Sequence, residues 1–387
     1  MSQTTQNFFV KTFLGPLKLW NRRRLHQQRI QKLLSTNEKE IKKQKTPERI
    51  LSLLVIDARP GWGDFLYHLG LIHELTKNKI IIDIATPEDT YKRFLIPMIR
   101  NVYSLDKEDD IQKCSKNHYD ACIDLTYVNL TEWNKRLTLL KQLNCHTITI
   151  GNITSLSSYF SEYIDISNCP HESERMALIA SNLLNKKVEK ILPYFPLSEE
   201  STSSEAKSFI NYLPKDVNVV YVNTIAREAD RCLSEDQVNV LITFFKDKKD
   251  AVGIFNTEKE ITTSDSVKKL PNLSFDDFAS IVKRCDAVIT PDTSATHLAT
   301  AFSIPSLVFF CANDRDYFPQ HAMSDVWAPL AEGSLVYKED DDVKECAPDR
   351  YFYLHPVRPI SDIKKDNLIF ATKSFLEKLP RKTEPHD

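Results

Sequence analysis

The stretch Val288–Phe310, VITPDTSATHLATAFSIPSLVFF, decides the fold of this chain. Apolar strands DAVIT (286–290) and SLVFF (306–310) flank a turn of Pro291, Asp292, Thr293 and Ser294 and a short helix. Strand, helix and strand in so short a span predict a βαβ crossover, hence a parallel sheet. With Asp292 as N-cap and residues spaced about 100° apart, Ala295, Leu298, Ala299 and Phe302 share one stripe, the core face. Thr293, Thr296, His297 and Thr300 fall opposite, with no Lys, Arg or Glu among them. A solvated face normally carries charge, so this one is expected to meet another surface or a ligand. A helix N-terminus, with its unpaired N–H groups and partial positive charge, suits a diphosphate. Asp292 would cap the helix and accept hydroxyls of a sugar. The plain alternative is an ordinary Asp cap with His297 exposed.

The same rhythm extends in both directions. ILSLLVID (50–57), KIIIDIA (79–85), 119–125 and 146–150 read as strands separated by helices, one of them from Phe65 to about Lys77. A second series starts at VNVVYV (217–222) and continues through AVGIF (251–255) to the opening stretch. Ser234-x-x-Gln237 is a capping box, and Ser274-x-x-Asp277 starts another helix. Between the series, Pro193, Pro196 and Pro214 bracket the polar run SEESTSSEAKS, which reads as a junction. The expected fold is α/β, two doubly wound Rossmann-like domains facing a cleft, with ligands beyond the carboxyl ends of the strands.

Three further segments carry chemistry. ARPGWGDFLYHLGL (58–71) holds three of the chain's seven glycines. Gly61 and Gly63 permit close backbone approach or positive φ, and Asp64 is placed at the N-cap of a central buried helix, where a carboxylate can act as a general base. No GxGxxG dinucleotide fingerprint is present. NTIAREADRCLS (223–234) offers Thr224 and Arg231, hydroxyl and guanidinium suited to phosphate. IFNTEKE (254–260) offers Glu258 as an acceptor for ribose hydroxyls. Each reads equally as an ordinary cap or surface loop.

Together these pieces resemble glycosyltransferase family 9, whose members include the bacterial heptosyltransferases of lipopolysaccharide core synthesis. The resemblance rests on GWGD (61–64), on NTIAREADRCLS, and above all on LSFDDFASIVKRCDAVITPDTSATHLATAFSIPSLVFF (273–310). It implies a GT-B fold. It assigns residues 47–195 to an acceptor-side Rossmann-like domain, 196–215 to a linker, 216–360 to the nucleotide-sugar donor domain, 361–379 to a last helix returning toward the first domain, and 380–387 to a tail. It implies inverting transfer, without metal or cofactor, from a nucleotide-diphosphate sugar, foremost heptose from ADP-heptose, to a lipid-linked core saccharide. Asp64 matches the base. Thr224 and Arg231 match the diphosphate loop, Glu258 the nucleoside contact, and Asp292, Thr293, Ser294 and His297 the donor motif. The chain departs from the family in having Ser294 for a common Gly, Arg231-Cys232 for Lys-aromatic, and Gly70 for Pro. Alternatives are a hexose or protein-O-glycosyl transferase, or a nucleotide-sugar-binding scaffold without turnover.

Residues 1–46 lie outside the resemblance and form a basic amphipathic arm. The first 49 residues carry a net charge of +9, leaving −11 on the remainder of a chain whose total is −2. Phe8, Phe9, Phe13, Leu14, Leu17 and Trp20 precede Arg22-Arg23-Arg24, the reverse of a signal peptide. Aromatics beside Arg and Lys suit an anionic membrane surface, and a helix packed on the body is the alternative. Nucleic-acid binding ranks a poor third and no nucleic-acid partner is expected, because the body is acidic and shows no basic stripe. The eight cysteines are scattered, without metal-ligand spacing, as expected in a reducing compartment. The resulting expectation is a cytoplasmic protein, peripheral on the inner face of the bacterial inner membrane.

Overall fold

A computed structural model of the protein describes residues 44–58, 61–126, 132–151, 159–312, 322–338 and 358–380. The arm up to residue 43, the acidic sequence KEDDDVKE (338–345) after its first residue, and the tail from 381 lie outside them. The chain divides into two compact units, at residues 191 and 192.

The first unit runs β1 (Ser52–Ile56), α1 (Trp62–Lys77), β2 (Ile81–Thr86), β3 (Asn101–Ser104), α2 (Glu108–Lys116), β4 (Ala121–Asp124), α3 (Trp133–Gln142), β5 (His146–Gly151), β6 (Glu162–Asp165) and α4 (Glu172–Leu184). Its strands pair in parallel in the order β3-β2-β1-β4-β5-β6. Leu53, Leu54, Val55 and Ile56 are almost wholly buried, as a strand covered on both faces requires. Every residue of α1 from Phe65 to Ile72 is buried. Sequestering Leu66, Leu69, Leu71 and Ile72 contributes about 1.5–3 kcal/mol each, which outweighs the weak amphipathicity of this helix. At the end of β4, the carboxylate of Asp124 receives the Arg136 guanidinium at 2.7 and 3.0 Å, both side chains 1 % exposed.

The second unit runs α5 (Ser204–Tyr212), β7 (Asn218–Asn223), α6 (Glu235–Lys246), β8 (Ala251–Asn256), β9 (Val267–Lys269), α7 (Phe275–Arg284), β10 (Ala287–Pro291), α8 (Ser294–Ala301), β11 (Ser306–Phe309), β12 (Leu335–Tyr337) and α9 (Lys365–Leu376). The sheet is again parallel, in the order β12-β11-β10-β7-β8-β9. Each sheet therefore reverses direction once, between β1 and β4 and between β7 and β10, and at such a reversal the loops diverge and open a crevice beyond the strand ends.

The stretch 196–215, expected as a linker, carries α5 and packs on α7. The Ser203 N–H donates to Asp277 Oδ1 at 2.7 Å, and the Thr202 and Ser280 hydroxyls meet at 2.8 Å. The last helix, α9, buries Leu368, Ala371 and Phe375 in the core of the second unit, against α6 and β11. The Ser234 capping box is present, with Gln237 Oε1 accepting from Ser234 N at 2.8 Å. At the other end of the chain, Gln44 donates to Ser161 Oγ and Asn144 Oδ1, and its carbonyl lies 3.2 Å from His146 Nδ1. The arm is thus rooted at the amino-terminal edge of the first sheet, opposite the edge that carries Asp64. No helix among the described residues is long and apolar enough to cross a membrane.

Candidate active site

The crevice between β7 and β10 is built around Asn223, the last residue of β7. Its amide nitrogen lies 2.9 Å from Ile225 O and 3.2 Å from both Thr290 Oγ1 and Thr293 Oγ1. Its oxygen accepts from Asn256 Nδ2 at 3.0 Å. One side chain thus joins the ends of β7, β8 and β10 to the first turn of α8. Its partners lie up to seventy positions away, so the sequence of the loop alone does not single this amide out.

The next loop, 224–233, closes on itself through Leu233 N and Thr224 O at 3.0 Å. Cys232 Sγ accepts from Ala226 N at 3.2 Å, and Cys311 Sγ donates to Asp230 O at 3.3 Å, bracing the turn Ala229–Arg231. At its tip, Arg231 Nη1 stands 3.0 Å from Asp292 Oδ2. Two residues singled out 61 positions apart in sequence therefore meet at the N-terminus of α8.

Other expected roles change. Asp292 does not cap α8: its carboxylate is turned to Arg231, and Thr293 is the N-cap, its hydroxyl accepting from Ala295 N at 3.3 Å. Thr224 is buried and donates its hydroxyl proton to Asn256 O at 2.9 Å, so it serves the loop rather than offering that proton to a phosphate. The uncharged face of α8 does not lie open. His297 is buried with its ring 5.3 Å from that of Trp327, and Thr300 Oγ1 accepts from Leu330 N at 3.2 Å. Thr296, His297 and Thr300 are all buried, and of this face only Thr293 and Ser294, at the helix start, are half-exposed. Glu258 is exposed two residues beyond β8, at the same edge of the sheet.

In the first unit, α1 begins at Trp62, a turn earlier than expected. Gly61 is the N-cap, Gly63 is helical, and Asp64 lies in the first turn, half-buried. Gly61 has φ −68°, so positive φ is not what glycine supplies here. The requirement is space: a Cβ at Gly61 would stand 2.7 Å from Asp64 Oδ2.

Residues 155–346 match the model of glycosyltransferase family 9 (heptosyltransferase). The chain carries a glycosyltransferase family 9 domain. In this glycosyltransferase the matched residues include the whole β7–β10 crevice, whereas Asp64 lies outside them. Solved structures of similar fold include a family 9 glycosyl transferase from Veillonella parvula (TM-score 0.62, 14% identity, covering 87% of this chain and 99% of that one). Others are the E. coli heptosyltransferase WaaC with ADP (0.58, 14%, 85% and 99%) and the E. coli ADP-heptose lps heptosyltransferase II (0.59, 13%, 84% and 99%). At such identities the likeness establishes the fold, the GT-B pair of parallel sheets. No curated protein matches the chain.

The close approach at Gly61 gives a test that separates function from folding. The group that must yield to a Cβ is the end of a side chain, so Gly61→Ala is expected to change stability by no more than about 1 kcal/mol. Moving the Asp64 carboxylate is expected to lower glycosyl transfer about tenfold or more. Thermal unfolding and initial transfer rates check both; a wild-type rate contradicts the functional reading of that contact.

Proposed function

We propose that this glycosyltransferase moves a heptose from ADP-heptose onto a hydroxyl of a lipid-linked core saccharide, with inversion and without a metal ion. The observation that carries the reading is the convergence of Arg231, Asp292, Thr293 and Asn223 at the N-terminus of α8, on the switch point of the family 9 domain. In this reading the diphosphate lies against the N–H groups of Thr293 and Ser294 at the start of α8, with Arg231 held beside them by Asp292. Glu258 takes the nucleoside hydroxyls. The choice of ADP-heptose rests on the similar structures, one determined with ADP and another named for ADP-heptose.

Asp64 takes the proton from the acceptor hydroxyl. The oxygen then bonds to the anomeric carbon as the bond from that carbon to the diphosphate oxygen breaks, and ADP leaves. Negative charge grows on the departing phosphate. Fixed donors and a guanidinium stabilise that charge more in the transition state than in the ground state, which is what lowers the barrier. Loss of a general base costs ~10²–10⁴ in rate, or roughly 3–5 kcal/mol of transition-state stabilisation. Asp64→Asn is expected to lose transfer on that scale while retaining ADP binding. Assay with ADP-heptose, a core oligosaccharide acceptor and a chelator tests donor, base and metal independence together. Near-wild-type turnover removes Asp64 from the mechanism, and turnover only with another nucleotide sugar removes heptose.

The basic arm is read as the contact with an anionic membrane on the cytoplasmic face. Gln44 is fixed to the body, so the segment to remove is 1–43. Its deletion is expected to release the protein from vesicles containing anionic lipid while sparing transfer to a soluble acceptor. Unchanged vesicle binding refutes the role.

A further inference from the structure

Asp57 and His68 are buried ionisable groups of the first unit with no part in the reaction above. They are 2 % and 0 % exposed, and Asp57 Oδ2 lies 2.6 Å from His68 Nδ1. Asp57 is the first residue beyond β1, and His68 stands four residues, about one helical turn, after Asp64. The bond therefore closes the strand-end loop into a ring that contains Gly61 and Asp64. The strand side of the ring is fixed: Asp57 N donates to Ala85 O and Ala58 N to Thr126 Oγ1, each at 3.1 Å, which ties it to the ends of β2 and β4. The helix side is held by the burial of Phe65 to Ile72. His68 Nε2 is buried and has no hydrogen-bond partner among the described residues, and its Nδ1 is the ring nitrogen that meets Asp57. Arg93, whose guanidinium lies 4.1 Å above the Trp62 ring, adds its charge to the field around Asp57.

A buried carboxylate–imidazole pair is a costly means of joining a strand to a helix, since apolar packing fills the same space without desolvating either group. What it adds is direction. We propose that Asp57 and His68 are positioning residues: their bond fixes the start of α1 against the end of β1, and so fixes the Asp64 carboxylate against Gly61 for its approach to the acceptor hydroxyl. This rests on the reading of Asp64 as the base.

The test is a set of variants, His68→Leu, His68→Asn and Asp57→Asn, in the full chain, with and without Asp64→Asn. The readouts are kcat, donor KM and unfolding temperature, from ADP release with ADP-heptose and the core acceptor. His68→Leu is expected to lower kcat about 10–100-fold with donor KM changed less than about twofold. Asn places an N–H near the position of Nδ1, so His68→Asn is expected to recover kcat to within about threefold of wild type. In the Asp64→Asn background His68→Leu is expected to cost nothing further, as residues acting as one unit are non-additive. A wild-type kcat in His68→Leu overturns the proposal, as do equal losses in the Leu and Asn variants or a full additive loss beside Asp64→Asn. If His68→Leu does not fold, Asp57→Asn decides: it keeps shape and volume, a lowered kcat at constant donor KM is expected, and an unchanged kcat overturns the proposal. Full activity of Asp64→Asn alone defeats the base reading instead, and is seen independently of the His68 result.

Discussion

The candidate site of the second unit depends on a single buried amide. Asn223 reaches Ile225, Thr290, Thr293 and Asn256 at once, and these four belong to three strand ends and the turn before α8. At a switch point the loops leave in opposite directions, so nothing in the sheet ladder holds them together. An amide with both a donor and an acceptor end bridges that divergence. Removing it leaves several polar groups unsatisfied, at a cost of about 1–3 kcal/mol each where they are buried. Arg231 and Asp292 then meet across a gap that the amide has already closed.

What the sequence made legible follows from local physics. Strands buried on both faces have continuous apolar runs, and all eight such runs are strands. The four strands without one, β3 (NVYS), β6 (EYID), β9 (VKK) and β12 (LVY), went unread; they are three or four residues long and lie at the outer positions of their sheets. The Ser caps before Glu235 and Phe275 were legible because a cap and its N3 partner are neighbours in the chain.

The site was legible in its residues but less so in their roles. Asp292 and Thr293 are both good N-cap residues, and local sequence does not choose between them. The choice is made by Arg231, which claims the carboxylate from 61 positions away. The uncharged face of α8 was expected to meet another surface or a ligand, and the resemblance turned it to the donor pocket; it meets a surface of the protein instead. That surface is Trp327 and Leu330, thirty positions on, so His297 and Thr300 pack against protein rather than line an opening. The polar run before residue 209 resembled a linker in composition, yet Asp277 and Ser280 supply partners for its Ser and Thr. In α1 the start of the helix was misplaced because Trp62 and Gly63 carry no helix signal, while the burial of the following turns holds them in it.

The central claim is that a nucleoside diphosphate binds where Asn223, Arg231 and the start of α8 converge. Hydrogen–deuterium exchange of the full chain with saturating ADP tests it most directly. Slowed exchange is predicted in residues 223–232 and 290–298, the loop braced by Cys232 and the turn into α8. ADP binding that leaves both segments unchanged, or that protects only the first unit, would contradict the account.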